Sequence, residues 1–154
     1  MENLREPFQI MVRRFGLLAK YCCSTGGYNI SLVQSHILYE IERKSGQSMQ
    51  MVAETLGIDI TTFSRQIQTL VKMDLVKKSP SPDDGRVFIL TLTDEGLQTA
   101  ESIDNQMNAF LEDVFSRMSS FEKDTVMHSI DLLNRSMAAS EHCCSPVSCK
   151  KDQD

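Results

Sequence analysis

Proline and glycine are scarce in this chain, with four and seven among 154 residues. That excludes a low-complexity or collagen-like polymer. Long apolar runs are absent too, and none approaches the roughly 20 residues that cross a bilayer. No export signal opens the sequence, since Glu2, Arg5 and Glu6 interrupt it at once. The expectation is a cytoplasmic protein with no membrane partner. Positive charge is not in excess: the net charge of −5 excludes a histone-like blanket but leaves room for a local basic face. Cysteine is missing from the whole middle of the chain. The five present are Cys22, Cys23, Cys143, Cys144 and Cys149, an odd number that is no disulfide framework without export. Internal repeats, phosphate loops, paired carboxylates at catalytic spacing and nucleophile–base signatures are all lacking. A non-enzyme is therefore expected. What remains, 41% hydrophobic and 24% charged, suits one globular domain.

Apolar periodicity supplies the elements. Leu4, Phe8, Met11, Phe15, Leu18 and Cys22 recur at steps of three and four, which predicts one helix over residues 4–22. Ser24-Thr25-Gly26-Gly27 breaks it. A second helix over 32–44 carries Val33, Ile37 and Ile41, and Gly46 suits its left-handed end. Ser48 can cap a short helix over 50–56, Gly57 makes a turn, and Asp59 can cap the next helix over 60–73. The buried stripe of that helix is expected at Ile60, Phe63, Ile67 and Leu70. Two short helices joined by a tight glycine turn are a helix-turn-helix. The turn-rich stretch from Ser79 to Arg86, followed by Val87-Phe88-Ile89-Leu90-Thr91-Leu92, predicts a hairpin with a polar tip. Thr93 opens a long helix to about residue 118, with Leu97, Ala100, Ile103, Met107 and Val114 on one face. Ser119-Ser120 interrupts, and a last helix over 122–139 carries Val126, Ile130, Leu133 and Met137.

The expected fold is mainly α with a small β-hairpin wing. A winged helix-turn-helix occupies 31–94, a helical dimerisation region comes from 1–30 and 95–140, and 141–154 is a Cys-rich tail. The flanking helices carry more apolar surface than so small a module can cover. Packing against a second copy is the economical solution.

The ordered segments resemble the MarR family of bacterial transcription regulators over about residues 5 to 140. Met51-Val52-Ala53-Glu54-Thr55-Leu56-Gly57-Ile58 is similar to that family's first helix of the helix-turn-helix. Thr61-Thr62-Phe63-Ser64-Arg65-Gln66-Ile67 is similar to its recognition helix, and Asp84-Gly85-Arg86 to its Asp-x-Arg wing tip. Leu90-Thr91-Leu92-Thr93-Asp94-Glu95-Gly96 resembles the exit from the wing. One departure is Asp74, where the family usually has glycine.

The residues argue for DNA on their own account. A recognition helix needs short polar side chains and an arginine facing the major groove. Thr61, Thr62, Ser64, Arg65, Gln66 and Thr69 lie off the apolar stripe. Arg65 suits guanine or a phosphate, and Gln66 suits adenine. Arg86 at the wing tip suits the narrow minor groove, with Asp84 holding its guanidinium. Lys72, Lys77 and Lys78 fall where phosphates pass. Residues 43–90 hold seven cations against five carboxylates, a net +2, which leaves −7 on the rest. The expected partners are a pseudo-palindromic double-stranded operator, a second copy of the chain and a small inducer. A winged helix that binds protein is the alternative.

Cys143-Cys144-Ser145-Pro146-Val147-Ser148-Cys149 puts three thiols within seven residues. Soft ligands of this kind select soft ions. A trigonal set of three sulfurs suits trivalent arsenic or antimony, whose lone pair takes the fourth direction. The cluster is similar to arsenite sites of some ArsR-family repressors. His142 beside it admits zinc less readily. No cofactor is required. Cys22 and Cys23 form a second vicinal pair. The MarR resemblance implies two further inducer classes. One is a hydroperoxide that oxidises a low-pKa thiolate near the first helix, Cys22 or Cys23, with a tail cysteine resolving it. The other is a small organic effector held between the winged module and the helical region. In each case the expected role is a repressor released from its operator.

Overall fold

Side-chain caps start nearly every helix. The structure, a computed structural model, describes residues 5–17 and 23–140. Its helices are α1 (Arg5–Arg14), α2 (Leu32–Arg43), α3 (Met49–Leu56), α4 (Ile60–Lys72), α5 (Asp94–Ser116) and α6 (Ser120–Ala138). Two antiparallel hairpins complete it, β1 (Cys23–Thr25) with β2 (Tyr28–Ile30), and β3 (Val76–Pro80) with β4 (Phe88–Leu92). Ser31 and Ser119 head α2 and α6 with full capping boxes through Gln34 and Glu122. Ser48, Asp59 and Thr93 each accept a backbone N–H at the start of α3, α4 and α5.

The mainly helical, winged architecture stands as expected. Two expectations about the bounds of elements fail. The first helix does not run to residue 22, because Gly16 adopts φ +78° and closes α1 with a left-handed turn. Leu17 N–H donates to the Val12 carbonyl at 3.1 Å and Gly16 N–H to Arg13 at 3.2 Å, the two bonds of a Schellman ending. The Ser24–Gly27 stretch is more than a break. Gly26 and Gly27, at φ +57° and +84°, turn a short hairpin that pairs Cys23 with Ile30 and Thr25 with Tyr28. Thr25 Oγ1 donates to Ser102 Oγ at 2.6 Å, tying that hairpin to α5.

The core lies inside the winged module. Ile37, Leu38 and Ile41 of α2 meet Val52 and Ala53 of α3 and Phe63, Ile67 and Leu70 of α4. Leu75, Val76 and Leu90 close it from the hairpin, and Ala100 and Ile103 from α5. Ile60, expected in the buried stripe of α4, is exposed instead. Phe63, Ile67 and Leu70 already fill the side of α4 that faces inward. Neither α1 nor α6 buries a residue in this chain. β4 is bonded on both sides, since Gly46 N–H donates to the Leu90 carbonyl and Leu90 N–H to that of Gln47, each at 3.0 Å.

The α4 helix ends as α1 does, but without glycine. Asp74 stands at φ +57°, with Asp74 N–H on the Val71 carbonyl and Leu75 N–H on Leu70, both 3.0 Å. This is the position at which the resembled family prefers glycine. Just beyond it the chain packs so closely that a Cβ on Gly96 would meet the Leu75 carbonyl oxygen at 1.9 Å. Two substitutions therefore act in opposite directions. Asp74→Gly relieves left-handed strain and stabilises by about 0.5–1 kcal/mol after the entropy of a freer unfolded chain is deducted. Gly96→Ala forces backbone apart and costs about 3 kcal/mol. Denaturant unfolding reads both, and equal midpoints for the two variants would contradict this geometry.

Candidate nucleic-acid interface

An α-helix can offer a groove only the face its own core leaves over. With Phe63, Ile67 and Leu70 turned inward, α4 exposes Thr61, Thr62, Arg65, Gln68, Thr69 and Lys72. Ser64 and Gln66 are half-buried on its two shoulders. Of the two glutamines it is Gln68, not singled out from the sequence, that shares the open face with Arg65. Its helical phase eight residues after Ile60 was available to find it. Ile60, Thr61, Ser64, Arg65 and Gln68 line one shallow concavity.

The entry to α4 is set by Asp59. Its Oδ1 accepts Thr62 N–H at 2.9 Å. Hydrogen bonds from the Thr62 side chain, then from its backbone, hold the Asp59 carboxyl below the usual aspartate range. Thr62 thus serves the cap first. Farther along, Thr69 Oγ1 donates to the Arg65 carbonyl at 3.1 Å.

The wing runs in register from Val76 opposite Leu92 to Pro80 opposite Phe88. At its tip Ser81 N–H donates to the Val87 carbonyl at 2.7 Å, and Val87 N–H to that of Asp84 at 2.9 Å. Asp84 Oδ1 accepts both Arg86 N–H at 3.0 Å and Arg86 Nε at 3.3 Å. The guanidinium is steered by Nε, which keeps its Nη groups out of the ion pair. The Arg86 side chain is 93% exposed. Lys77 and Lys78 are exposed on β3, and Lys78 Nζ sits 4.4 Å above the Phe88 ring centre. Of the thiols, Cys22, Cys143, Cys144 and Cys149 lie outside the described residues, and Cys23 opens β1.

A second concavity of about 430 Å³ lies between α2 and α5. Phe15, Leu32, Tyr39, Ile103 and Met107 give it apolar walls, with Ser35, His36, Asp104 and Asn108 as its polar groups. Phe15 also meets Phe110 edge-on at 6.0 Å between centroids. Among the described residues no helix is long and apolar enough to cross a membrane.

A capped helix-turn-helix followed by a two-stranded wing with an arginine tip defines a winged helix-turn-helix protein. Residues 30–88 match the model of the MarR family. YwaE of Bacillus subtilis, described as an uncharacterized HTH-type transcriptional regulator, is 33% identical over 76 residues. That match covers 49% of this chain and 44% of YwaE, so the chain spans under half the length of that relative. Among solved structures, FabT of Streptococcus pneumoniae in complex with DNA superimposes with a TM-score of 0.76 at 17% identity, covering 88% of this chain and 94% of that one. PcaV of Streptomyces coelicolor, in complex with its natural ligand, gives 0.69 at 21% identity over 92% and 95%. These likenesses share the fold.

The lowered Asp59 carboxyl makes a pH prediction. Its cap contributes fully above the ordinary aspartate range and is lost as pH falls through the lowered value. Asp59→Asn retains a neutral cap. Over that acid window its denaturant midpoint should fall less than that of the native protein. Parallel falls would remove Asp59 from the acid response.

Proposed function

We propose that the chain is a DNA-binding transcriptional regulator of the repressor type, working as a homodimer on a pseudo-palindromic operator. The observation that carries this is the open face of α4 with Arg65, in one module with the exposed, Asp84-steered Arg86 of the wing. One copy supplies one recognition helix and one wing. Two copies set their α4 helices in successive major grooves, about one helical turn apart. Arg86 enters the adjoining minor groove, where the negative potential is enhanced. Lys72, Lys77 and Lys78 take phosphates. The complex of FabT with DNA supports this docking by likeness of fold.

Dimerisation follows from the apolar surface the monomer leaves in water. Phe8 and Met11 of α1 and Phe121, Ile130, Leu132 and Met137 of α6 are all exposed, Phe121 at 80%. Exposed apolar side chains on this scale mark an association surface. A second copy covers them and brings the two modules into register.

The inducer we propose is trivalent arsenic or antimony bound by Cys143, Cys144 and Cys149, with Cys22 and Cys23 as a further thiol pair. Three thiols displace the three hydroxyls of arsenious acid as water, with no change of oxidation state. The spacing of the three thiols in the sequence supports this. A specific observation favours a second inducer class. The crevice between α2 and α5 has the size and the apolar lining, with a few polar groups, of a small-molecule site. Either inducer acts only by favouring the arrangement of modules that cannot meet the operator.

Two measurements test this. Duplexes selected by the protein from a random library should bind Arg65→Ala and Arg86→Ala about tenfold more weakly. Their affinity for the native dimer should fall steeply with salt. If neither arginine matters, the docking is wrong. Arsenite should release native protein from the selected duplex but leave the Cys143/Cys144/Cys149→Ser triple variant bound. Release of both proteins would place the metalloid elsewhere. Release by neither would turn attention to the crevice.

A further inference from the structure

Isoleucine at the first position of α4 lies outside the buried core. The inward side of α4 is filled by Phe63, Ile67 and Leu70, all at or below 1% exposure, whereas Ile60 stands 44% exposed. Its neighbours in the shallow concavity are Thr61, Ser64, Arg65 and Gln68, every one polar. An apolar side chain set alone among hydrogen-bonding groups, at the N-terminal end of a recognition helix, lies where such helices meet base edges. The major groove offers one apolar group among its donors and acceptors, the 5-methyl of thymine.

We propose that Ile60 is a specificity-determining residue that reads a thymine methyl in each half-site. This rests on the DNA-binding function proposed above and adds the chemistry of one base. Ile60 precedes Arg65 by five residues, about 7.5 Å along the helix axis. Its thymine therefore lies within a few base steps of the base or phosphate that Arg65 contacts. The concavity supplies the shape: Ile60 is its apolar part, and Thr61 and Gln68 give polar contacts to the neighbouring edges.

The test uses the full-length protein and duplexes it selects from a random library. Each thymine of the selected site is then replaced, one at a time, by deoxyuridine, which removes only the methyl. One thymine per half-site should be sensitive, with affinity falling about three- to fivefold for the loss of one buried methyl. Ile60→Ala should bind the thymine and uracil duplexes alike, while Ile60→Val keeps part of the difference. Because Ile60 lies outside the core, the Ile60→Ala melting temperature should match the native one, and the Val variant guards against a misfolded result. A selected site with no methyl-sensitive thymine overturns the proposal, as does an unchanged sensitivity in Ile60→Ala. If the native protein enriches no sequence at all, the DNA-binding function fails first and this proposal with it. Enrichment without methyl sensitivity overturns this proposal alone.

Discussion

One threonine hydroxyl joins the three parts of this molecule on which everything else is hung. Thr93 Oγ1 donates to the Asp74 carbonyl at 2.6 Å and accepts Gly96 N–H at 2.9 Å. The Thr93 backbone N–H donates to the Leu75 carbonyl at 3.1 Å. The end of the recognition helix, the base of the wing and the first turn of the long helix therefore meet in one buried set of bonds. Only glycine fits at residue 96, because α5 rests directly on the Leu75 backbone. A buried polar junction of this kind is costly to leave half-made. Rotation of α5 consequently moves α4 and the wing with it, and not past them. That stiffness ties the orientation of α5 to that of α4 and the wing.

The winged module owes its shape to helices that stop abruptly. α1, α3 and α4 all end with a residue in the left-handed region: Gly16, Gly57 and Asp74. Each is followed by an apolar residue whose N–H reaches back to the last turn, as Ile58 does to Ala53 at 2.9 Å. Two such endings, before and after α4, fix both its entry and its exit. Asp74 accomplishes with a strained carboxylate residue what glycine would do freely. The strain sits next to the Thr93 junction, whose hydroxyl donates to the Asp74 carbonyl and so over-determines the backbone there.

Caps, turns and the wing were legible in the sequence because each is written in adjacent residues. Ser48, Asp59 and Thr93 head the helices they were expected to head. The wing pairs where the β-branched run predicted, and Asp84 meets Arg86 across two residues. What escaped depends on competition between elements. The periodicity from Leu4 to Cys22 continues smoothly through Gly16, so the pattern hides a stop that the backbone makes. The β1–β2 hairpin is three residues a side, too short for alternation to register, and is held by its tie to Ser102. Ile60 and Gln68 are a matter of phase. A stripe drawn through Ile60 rotates the helix slightly, which hides Gln68 and promotes Gln66. Only the volume filled by Phe63, Ile67 and Leu70 decides between the two.

The charge pattern shows how an acidic protein can address a polyanion. The net charge of −5 belongs to the whole chain, but a phosphate within a Debye length senses mainly the nearest groups. The cations of the winged module are exposed on the faces of α4 and β3 and at the wing tip, whereas Asp59 is engaged in a helix cap and Asp84 in steering Arg86. Each of those carboxylates fixes a surface that carries a cation. Two of the five carboxylates in residues 43–90 thus serve orientation, and most of the chain's acidic residues lie outside that span. For the DNA binding proposed above, the cations that meet phosphates are the ones on α4, β3 and the wing tip, and the net charge of the whole chain is no bar to them.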